Sequence, residues 1–382
     1  MTSTAHITWA RADARRIHRQ HLDEPADAAP AAVAAAMLGV HAQILSAAEL
    51  SLALRTASAT RADVRAALWE ERSLVKTHGP RGTVHLLAAE DLPLWTGALS
   101  ALPAGRGGQP EGVRLSEAQT DEIVAAIGDA LTGAELTTDE LTEAIVARTG
   151  PWAGERVMEA FQDKWPRWRQ ATMTAAHRGV LCYGANRGRR VTYTNPGVRP
   201  LAGPEALAAL LDRYLSAYGP ATPQHFATWL AAPAGWAKDL FAGAAEAGRI
   251  EELVFEDGPA WVVAGDTEFP AEPARGVRLL PYFDSFAVTS QPRARLFPGA
   301  TSTRALAGGQ AGNYPVLLVD GEVAGVWHQR RRGGRVTVTV EPLKPLDPGR
   351  LHELERQAAR VGEVLESRAE LVVGRVEVGP HA

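Results

Sequence analysis

One arrangement recurs three times along this chain: helices with a regular apolar face, followed by a short β-hairpin. In the middle copy, apolar residues recur at helical spacing over 120–131, and Thr137 followed by acidic residues is typical of a second helix start. A third helix is predicted over about 157–178, ahead of Gly179, and a hairpin over 180–194. This order predicts a winged helix-turn-helix unit.

The third copy repeats this order closely. Helices are predicted over 206–218 and 236–247, and between them Thr222 caps a helix that has Pro223 at its first position. A hairpin follows over 250–263. Winged helices also mediate protein contacts, so the repeated unit favours a DNA-binding protein without indicating any chemistry.

The first copy is looser, but it has the same elements. Its predicted helices and strands cover 31–38, 61–71, 74–76 and 83–87. We therefore predict three tandem winged helix-turn-helix units, over residues 1–110, 111–203 and 204–268.

The remaining residues, 269–382, have the pattern of a small β-domain. One helix is predicted over 351–365, and Asp320-Gly321 is a strong hairpin signal. The pattern predicts a small barrel or curled sheet, with strands over 277–281, 316–320, 321–327, 336–340 and 371–378.

Composition places the chain among ordinary globular proteins, with 46% hydrophobic and 22% charged residues. No stretch reaches 18 uninterrupted apolar residues, and residues 1–16 lack a hydrophobic signal core, so we expect a cytoplasmic protein without a membrane segment. The single cysteine, Cys182, excludes an internal disulfide and a multi-cysteine metal centre.

The charge is unevenly distributed. The net charge is only −4, yet residues 163–200 have eight Lys or Arg and one acid, Asp163, and residues 327–335 have four Arg and no acid. Two basic segments on a mildly acidic chain are consistent with a surface that faces an anionic partner. Solvated hairpin tips are the alternative.

Three short motifs resemble those of one family, the winged-helix DNA glycosylases of the azinomycin-resistance (AlkZ/YcaQ-like) type. Residues 38–43, with 50–55, resemble its catalytic segment, and residues 81–86 resemble its Arg-Gly-Thr-apolar-His strand. The third motif combines residues 280–285 with 319–327. The chain departs from the family pattern at the catalytic pair, where His41 replaces the more familiar Gln.

The resemblance implies a fold and an activity. The expected fold class is α+β, with three tandem winged helix-turn-helix units around a C-terminal β-barrel and a concave DNA-binding channel. The expected activity is that of a monofunctional DNA glycosylase, which hydrolyses the N-glycosidic bond of bulky or crosslinked alkylpurines of the N7-alkylguanine type. Base-excision repair or self-resistance to a DNA-alkylating natural product is the expected role. We expect a monomer that binds double-stranded DNA carrying alkylated purines and needs neither a metal nor a cofactor.

His41 and Gln43 are the candidate catalytic pair. Two residues apart, their side chains share a face only if the segment is extended, because on a helix they would diverge by roughly 200°. An N7-alkylated purine is already cationic and leaves without a strong acid, so catalysis requires a positioned water. Neutral His41 can accept the proton of that water, and the carbonyl of Gln43 can orient it. In the alternative, His41 bonds to backbone at a domain seam and Gln43 caps the next helix.

The other candidate site residues have weaker support. Asp284 and Ser285 either place a second carboxylate near the site or cap a helix. Trp165 is more typical of core packing than of a platform on which a base stacks. Three groups of residues are candidates for DNA contact, and for each group the alternative is a solvated polar surface. They are Arg81, Thr83 and His85 on one strand, Arg187, Arg189 and Arg190 on a wing turn, and Arg330, Arg331 and Arg332 on a barrel hairpin.

Two non-enzymatic functions compete with the glycosylase. A winged-helix transcriptional regulator usually has one unit per chain and dimerises on a palindrome, and a protein–protein scaffold leaves the basic turns unexplained.

Overall fold

Helices and strands alternate along the chain in a mixed α+β fold. The computed structural model describes residues 6–103, 109–160 and 163–379. Its helices are α1 (Trp9–Arg19), α2 (Pro30–Ala36), α3 (Leu45–Leu54), α4 (Arg61–Trp69), α5 (Leu92–Ser100), α6 (Glu117–Leu131), α7 (Thr138–Thr149), α8 (Pro151–Gly154), α9 (Thr172–His177), α10 (Gly203–Tyr218), α11 (Pro223–Leu230), α12 (Ala234–Glu246), α13 (Ser285–Thr289), α14 (Arg293–Leu296), α15 (Ala300–Ala305) and α16 (Pro348–Val364).

The strands of the described residues form four sheets of three or five strands and one separate hairpin. They are β1 (His6–Ile7), β2 (Val40–His41), β3 (Leu74–His78), β4 (Val84–Ala88), β5 (Glu135–Thr137), β6 (Arg156–Glu159), β7 (Lys164–Pro166), β8 (Cys182–Tyr183), β9 (Thr192–Thr194), β10 (Ile250–Phe255), β11 (Gly258–Val263), β12 (Val277–Leu280), β13 (Val316–Val319), β14 (Glu322–Arg332), β15 (Arg335–Pro342) and β16 (Arg368–Val373).

Each of the three repeated segments has helices packed beside a three-stranded sheet. The strand orders are β2-β4-β3, β5-β9-β8 and β1-β10-β11. Capping boxes begin α4, α7 and α11, at Thr60, Thr137 and Thr222, as the Thr signals before α7 and α11 predict. The first strand of the chain joins the third sheet, because Ile7 pairs in parallel with Phe255.

The prediction of one long helix over 157–178 is wrong. That segment contains the antiparallel hairpin β6–β7, then a 3₁₀ turn at Arg167–Ala171, and of its described residues only Thr172–His177 are α-helical. Pro166 explains the difference, because proline has no N–H to donate and disfavours helical backbone at the residue before it.

The C-terminal sheet is an open half-barrel, which agrees with the curled sheet of the prediction rather than with a complete barrel. Its order is β12-β13-β14-β15-β16, and the two outer strands do not pair with each other. The chain crosses from β15 to the parallel β16 through α16. Leu354 and Val361 of α16 share one core with Val336 of β15 and with Val40 and Leu86 of the first sheet. The half-barrel is thereby joined to the sheet that holds His41.

Within the described ranges, none of the helices is long and apolar enough to cross a membrane.

Candidate active site

His41 lies on extended backbone at the edge of the first sheet. It pairs with His85 across β2 and β4, and the next residue, Ala42, donates its N–H to the Val84 carbonyl at 2.7 Å. Gly39 turns the chain into this strand with φ +88°, and a Cβ there would lie 2.7 Å from Leu87 Cδ2. The predicted local extension at His41 is therefore confirmed.

Two rings enclose the His41 imidazole. The Phe283 ring stacks on it with centroids 4.8 Å apart and planes 17° apart, and the His85 ring is tilted at 5.0 Å. Only 6% of His41 is exposed. Its Nδ1 atom is buried and has no hydrogen-bond partner among the described residues. The alternative prediction, in which His41 is hydrogen-bonded to the backbone, is therefore wrong for this nitrogen.

Burial keeps the His41 imidazole uncharged. Loss of solvent, followed by the nearby Arg81 guanidinium, lowers the pKa of His41 to about 4. At neutral pH the imidazole is therefore uncharged, and one of its two ring nitrogens has a free lone pair. Such a group can accept a proton or a hydrogen bond, which is what a water-activating histidine requires.

A small cavity adjoins the His41 ring. About 10 Å³ is available to the centre of a water molecule, which is close to the room that one water needs. Segments far apart in sequence form its wall, which consists of Leu38, Gly39, His41, Arg81, His85, Tyr218, Trp229, Ser285, Val288 and Thr289.

His85 is buried behind His41. Its Nδ1 donates to the Thr83 carbonyl at 2.9 Å, and burial holds its pKa well below the usual value. The ring lies so close to Gly79 that a Cβ there would be 2.8 Å from it. His85 thus forms a wall of the cavity rather than part of an exposed face.

Arg81 and Thr83 do not alternate with His85 along one strand, which corrects that prediction. Arg81 occupies a 3₁₀ turn with φ +60°, and β4 begins only after Thr83. Arg81 Nη1 donates to the Trp229 carbonyl at 2.8 Å, and Thr83 Oγ1 donates to the Pro80 carbonyl at 3.0 Å. Glycines on both sides of Pro80-Arg81 favour a turn over a strand.

Asp284 and Ser285 hold the segments around the site together through hydrogen bonds and an ion pair. Asp284 caps α13, accepting from the Phe286 N–H at 3.0 Å, and it forms a fully buried ion pair with Arg55 at 2.8 Å. Ser285 Oγ donates to the Gly39 carbonyl at 2.9 Å. Of the two predicted roles for Asp284, the structure gives it the helix cap.

Gln43 stands apart from the cavity. It is exposed, it lies in the bend before α3, and it is not part of the wall around His41. It does not cap the next helix either, because Ile44 is the capping position and no side chain caps there. Gln43 is therefore not among the residues that the structure gathers around the cavity, and its catalytic role stays a prediction.

The predicted arginine groups lie on exposed turns. Arg187, Arg189 and Arg190 occupy the turn between β8 and β9, where Arg187 pairs with Glu140 at 3.0 Å. Arg330, Arg331 and Arg332 lie at the exposed end of β14, beside the Gly333-Gly334 turn.

The surroundings of His41 include residues that the sequence pattern did not single out. Phe283 lies inside one of the family-like motifs, but its stacking on His41 is a finding of the structure. Tyr218 and Trp229 had no signal beyond an aromatic residue near a helix end. Tyr218 donates its hydroxyl to the Met37 carbonyl at 2.9 Å. The described residues contain no group of three or more His, Cys, Asp or Glu placed to hold a metal ion.

Comparisons with known proteins agree on one relationship. An interstrand DNA cross-link repair glycosylase from Streptomyces sahachiroi is 31% identical over 370 residues, covering 93% of this chain and 95% of that protein. The solved structure of the Streptomyces sahachiroi DNA glycosylase AlkZ superposes with a TM-score of 0.79 at 27% identity, covering 97% of this chain and 100% of that one. The sequence profile described as DNA glycosylase AlkZ-like matches residues 34–364. The chain therefore belongs to the AlkZ-like DNA glycosylase family.

Proposed function

We propose that this protein excises bulky or crosslinked alkylpurines from double-stranded DNA, acting as a monomer without a metal or cofactor. The substrates are of the N7-alkylguanine type, and the reaction serves base-excision repair or self-resistance to an alkylating natural product. Family membership supports a DNA glycosylase over the alternative of a transcriptional regulator. The name of the Streptomyces relative supports crosslinked DNA as a substrate.

The observation that carries the mechanism is the uncharged, stacked His41 beside a cavity with room for about one water. Water attacks C1′ as the C1′–N bond breaks, and the departing purine takes the bonding electrons and so loses its positive charge. The water proton passes to the free nitrogen of His41. A cationic His41 would repel the developing oxocarbenium ion, so the neutral form is the active one.

Gln43 has a supporting role in this proposal. Its amide carbonyl orients the attacking water, and its dipole faces the positive sugar. Because Gln43 is exposed in the free protein, DNA has to bring its side chain and the water together.

The three helix-and-hairpin segments form the DNA-binding surface as tandem winged helix-turn-helix units, with boundaries at residues 1–110, 111–203 and 204–268, and the half-barrel of residues 269–382 completes a concave channel. The exposed arginines at the β8–β9 turn and at the end of β14 contact phosphates. Arg81, which lines the cavity, and Thr83 belong to the same surface.

A single assay tests the proposal. The protein is incubated with duplexes containing N7-methylguanine, a bulkier N7 adduct or an interstrand crosslink, and abasic sites are then cleaved with alkali. We expect nicks at the lesion and release of the free alkylated base. Tight binding to one undamaged palindrome without nicks on any alkylated duplex would refute the enzyme and support the regulator.

A further inference from the structure

A second cavity lies between the first and the second repeated segments. About 220 Å³ of it is available to the centre of a water molecule, against about 10 Å³ beside His41. Its wall on one side comes from the end of α4 and from β3, and on the other side from β8 and the residues that follow β9. No described residue lines both this cavity and the one beside His41. We call it the inter-segment cavity.

The wall of the inter-segment cavity is mainly apolar. Leu74 of β3 and Val198 of the second segment both contribute to it. Trp69 at the end of α4 and Tyr183 of β8 add one aromatic ring from each side. Apolar and aromatic walls with a few polar groups are typical of a pocket for a small organic molecule.

Lys76 gives this wall a half-buried positive charge without a counter-ion. Its ammonium group lies 4.8 Å from the centroid of the Tyr183 ring, and it forms no ion pair with a carboxylate of the described residues. Glu49 attracts it from a distance, but that carboxylate is paired with Arg61 and Arg65. Burial lowers the pKa of Lys76. A cation that is partly removed from water and has no counter-ion favours the binding of an anion.

The other polar groups of the wall limit the charge of that anion. Arg72 is exposed and adds a second cation that has no ion pair among the described residues. The Glu135 carboxylate accepts a hydrogen bond from Thr192 Oγ1 at 3.1 Å, and it places one negative charge at the cavity. Burial raises the pKa of the Cys182 thiol to about 12, so this side chain is uncharged. Two cations and one carboxylate favour a ligand with a single negative charge.

We propose that the inter-segment cavity binds a small aromatic carboxylate, with its ring against Trp69 and Tyr183 and its carboxylate bonded to the Lys76 ammonium group. The space beside His41 holds about one water and is too small for such a molecule. The site is therefore separate from the glycosylase chemistry. Because its wall comes from two segments, the bound anion contacts both of them and stabilises the folded protein.

Calorimetric titration of the full chain tests the role of the charge. The probes are 2-naphthoate and 2-naphthamide, which share a ring and differ in charge. We expect the wild type to bind 2-naphthoate roughly 10- to 150-fold more tightly than the amide, as a hydrogen bond to a charged group provides. Lys76→Met keeps the apolar stem without the charge and should lose this preference, whereas Lys76→Arg should keep most of it. Lys164→Met, at an exposed ion pair with Glu159, is the matched control and should bind like the wild type.

A measurement on the unaltered protein keeps the test decisive if Lys76→Met folds poorly. Acetic anhydride acetylates lysines, and mass spectrometry follows Lys76 and Lys164 separately. At ten times its Kd, 2-naphthoate should slow the acetylation of Lys76 about tenfold and leave Lys164 unchanged. Equal affinities for the two probes, a preference that persists in Lys76→Met, or acetylation of Lys76 that 2-naphthoate does not slow would each overturn the inference.

Discussion

At the scale of single residues, His41 has to meet two opposing requirements. A general base must be uncharged at the working pH, and it must still have affinity for a proton. Enclosure by Phe283 and His85 satisfies the first requirement, because burial lowers the pKa of His41 to about 4. In the proposed mechanism, the second requirement is met as the positive charge passes from the purine to the sugar and the attacking water becomes acidic. His41 is therefore suited to lesions that already have a cationic leaving group.

Replacing His41 tests its role directly. In His41→Ala the attacking water loses its proton acceptor, so we expect turnover to fall about 10²- to 10⁴-fold, the usual contribution of a general base. Gln43→Ala should give a loss of the same kind. Single-turnover excision and binding of lesion DNA are measured side by side. Affinity should stay within about twofold, because neither side chain is a phosphate contact; loss of binding instead would show that the pair is structural.

The pH dependence of excision should reflect the lowered pKa of His41. A base works in its deprotonated form, so the maximal rate should stay level from pH 8 down to about pH 5 and then fall as pH drops through about 4. A solvated histidine would instead lose activity near pH 6.5. Reactions without enzyme correct for acid depurination of the DNA. His41→Gln cannot titrate, and a persisting acid limb in that variant would assign the pKa to another group.

Sequence reasoning identified the candidate catalytic segment but not its surroundings. The spacing of His41 and Gln43, with Gly39 before them, predicted extended backbone, because those are local properties of the chain. The surroundings of His41 include Phe283, which stacks on it, and Trp229, which lines the adjoining cavity, roughly 190 to 240 positions away. Nothing local signals such contacts, so the burial of His41 and the exposure of Gln43 were beyond prediction.

At the scale of elements, the β8–β9 turn divides its arginines into two kinds. Arg187 is bound to Glu140 at the start of α7 and to the Glu135 carbonyl. Arg189 and Arg190 are exposed, and neither has a carboxylate partner among the described residues. The first arginine fixes the turn, and the other two remain available for phosphates.

This division predicts different salt dependences of DNA binding. For Arg189→Ala or Arg190→Ala we expect weaker binding to all sequences alike, and a slope of log K against log salt reduced by about 0.9 for each lost phosphate contact. Arg187→Ala is the matched control in the same turn and should change the slope less. Titrations over a series of salt concentrations measure this. A greater effect at Arg187, or an effect confined to one sequence, would contradict the assignment.

Prediction of elements succeeded where capping and turn signals agreed and failed where a proline lay inside a helical pattern. The third copy matches closely, and β10 spans Ile250–Phe255 as predicted. The segment over 157–178 was predicted as one helix, yet Pro166 separates a hairpin from a short helix there. The strand pattern left a small barrel and a curled sheet open, because it does not determine whether the outer strands β12 and β16 meet.

At the scale of the whole molecule, one buried ion pair connects the half-barrel region to the first segment. Asp284 precedes α13, and Arg55 follows α3; both side chains are fully buried, at 0% exposure. Ser51 of α3 also donates to Asp284, at 2.7 Å. The neighbours of Asp284 are Phe283, which stacks on His41, and Ser285, which binds the Gly39 carbonyl. The pair therefore fixes the relative position of two segments that together build the site.

Breaking this pair should damage both stability and activity. Asp284→Ala leaves Arg55 buried without its carboxylate, so we expect the free energy of unfolding to fall by about 3–5 kcal/mol. Asp129→Ala is the matched control, since it removes the exposed partner of Arg148 and should cost only about 0.2–1 kcal/mol. Urea unfolding measures both variants. Excision, assayed at a temperature where Asp284→Ala is still folded, should also decline, because Phe283 and Ser285 lose their anchored position beside His41. Full activity in a folded Asp284→Ala variant would mean that the site forms without this connection.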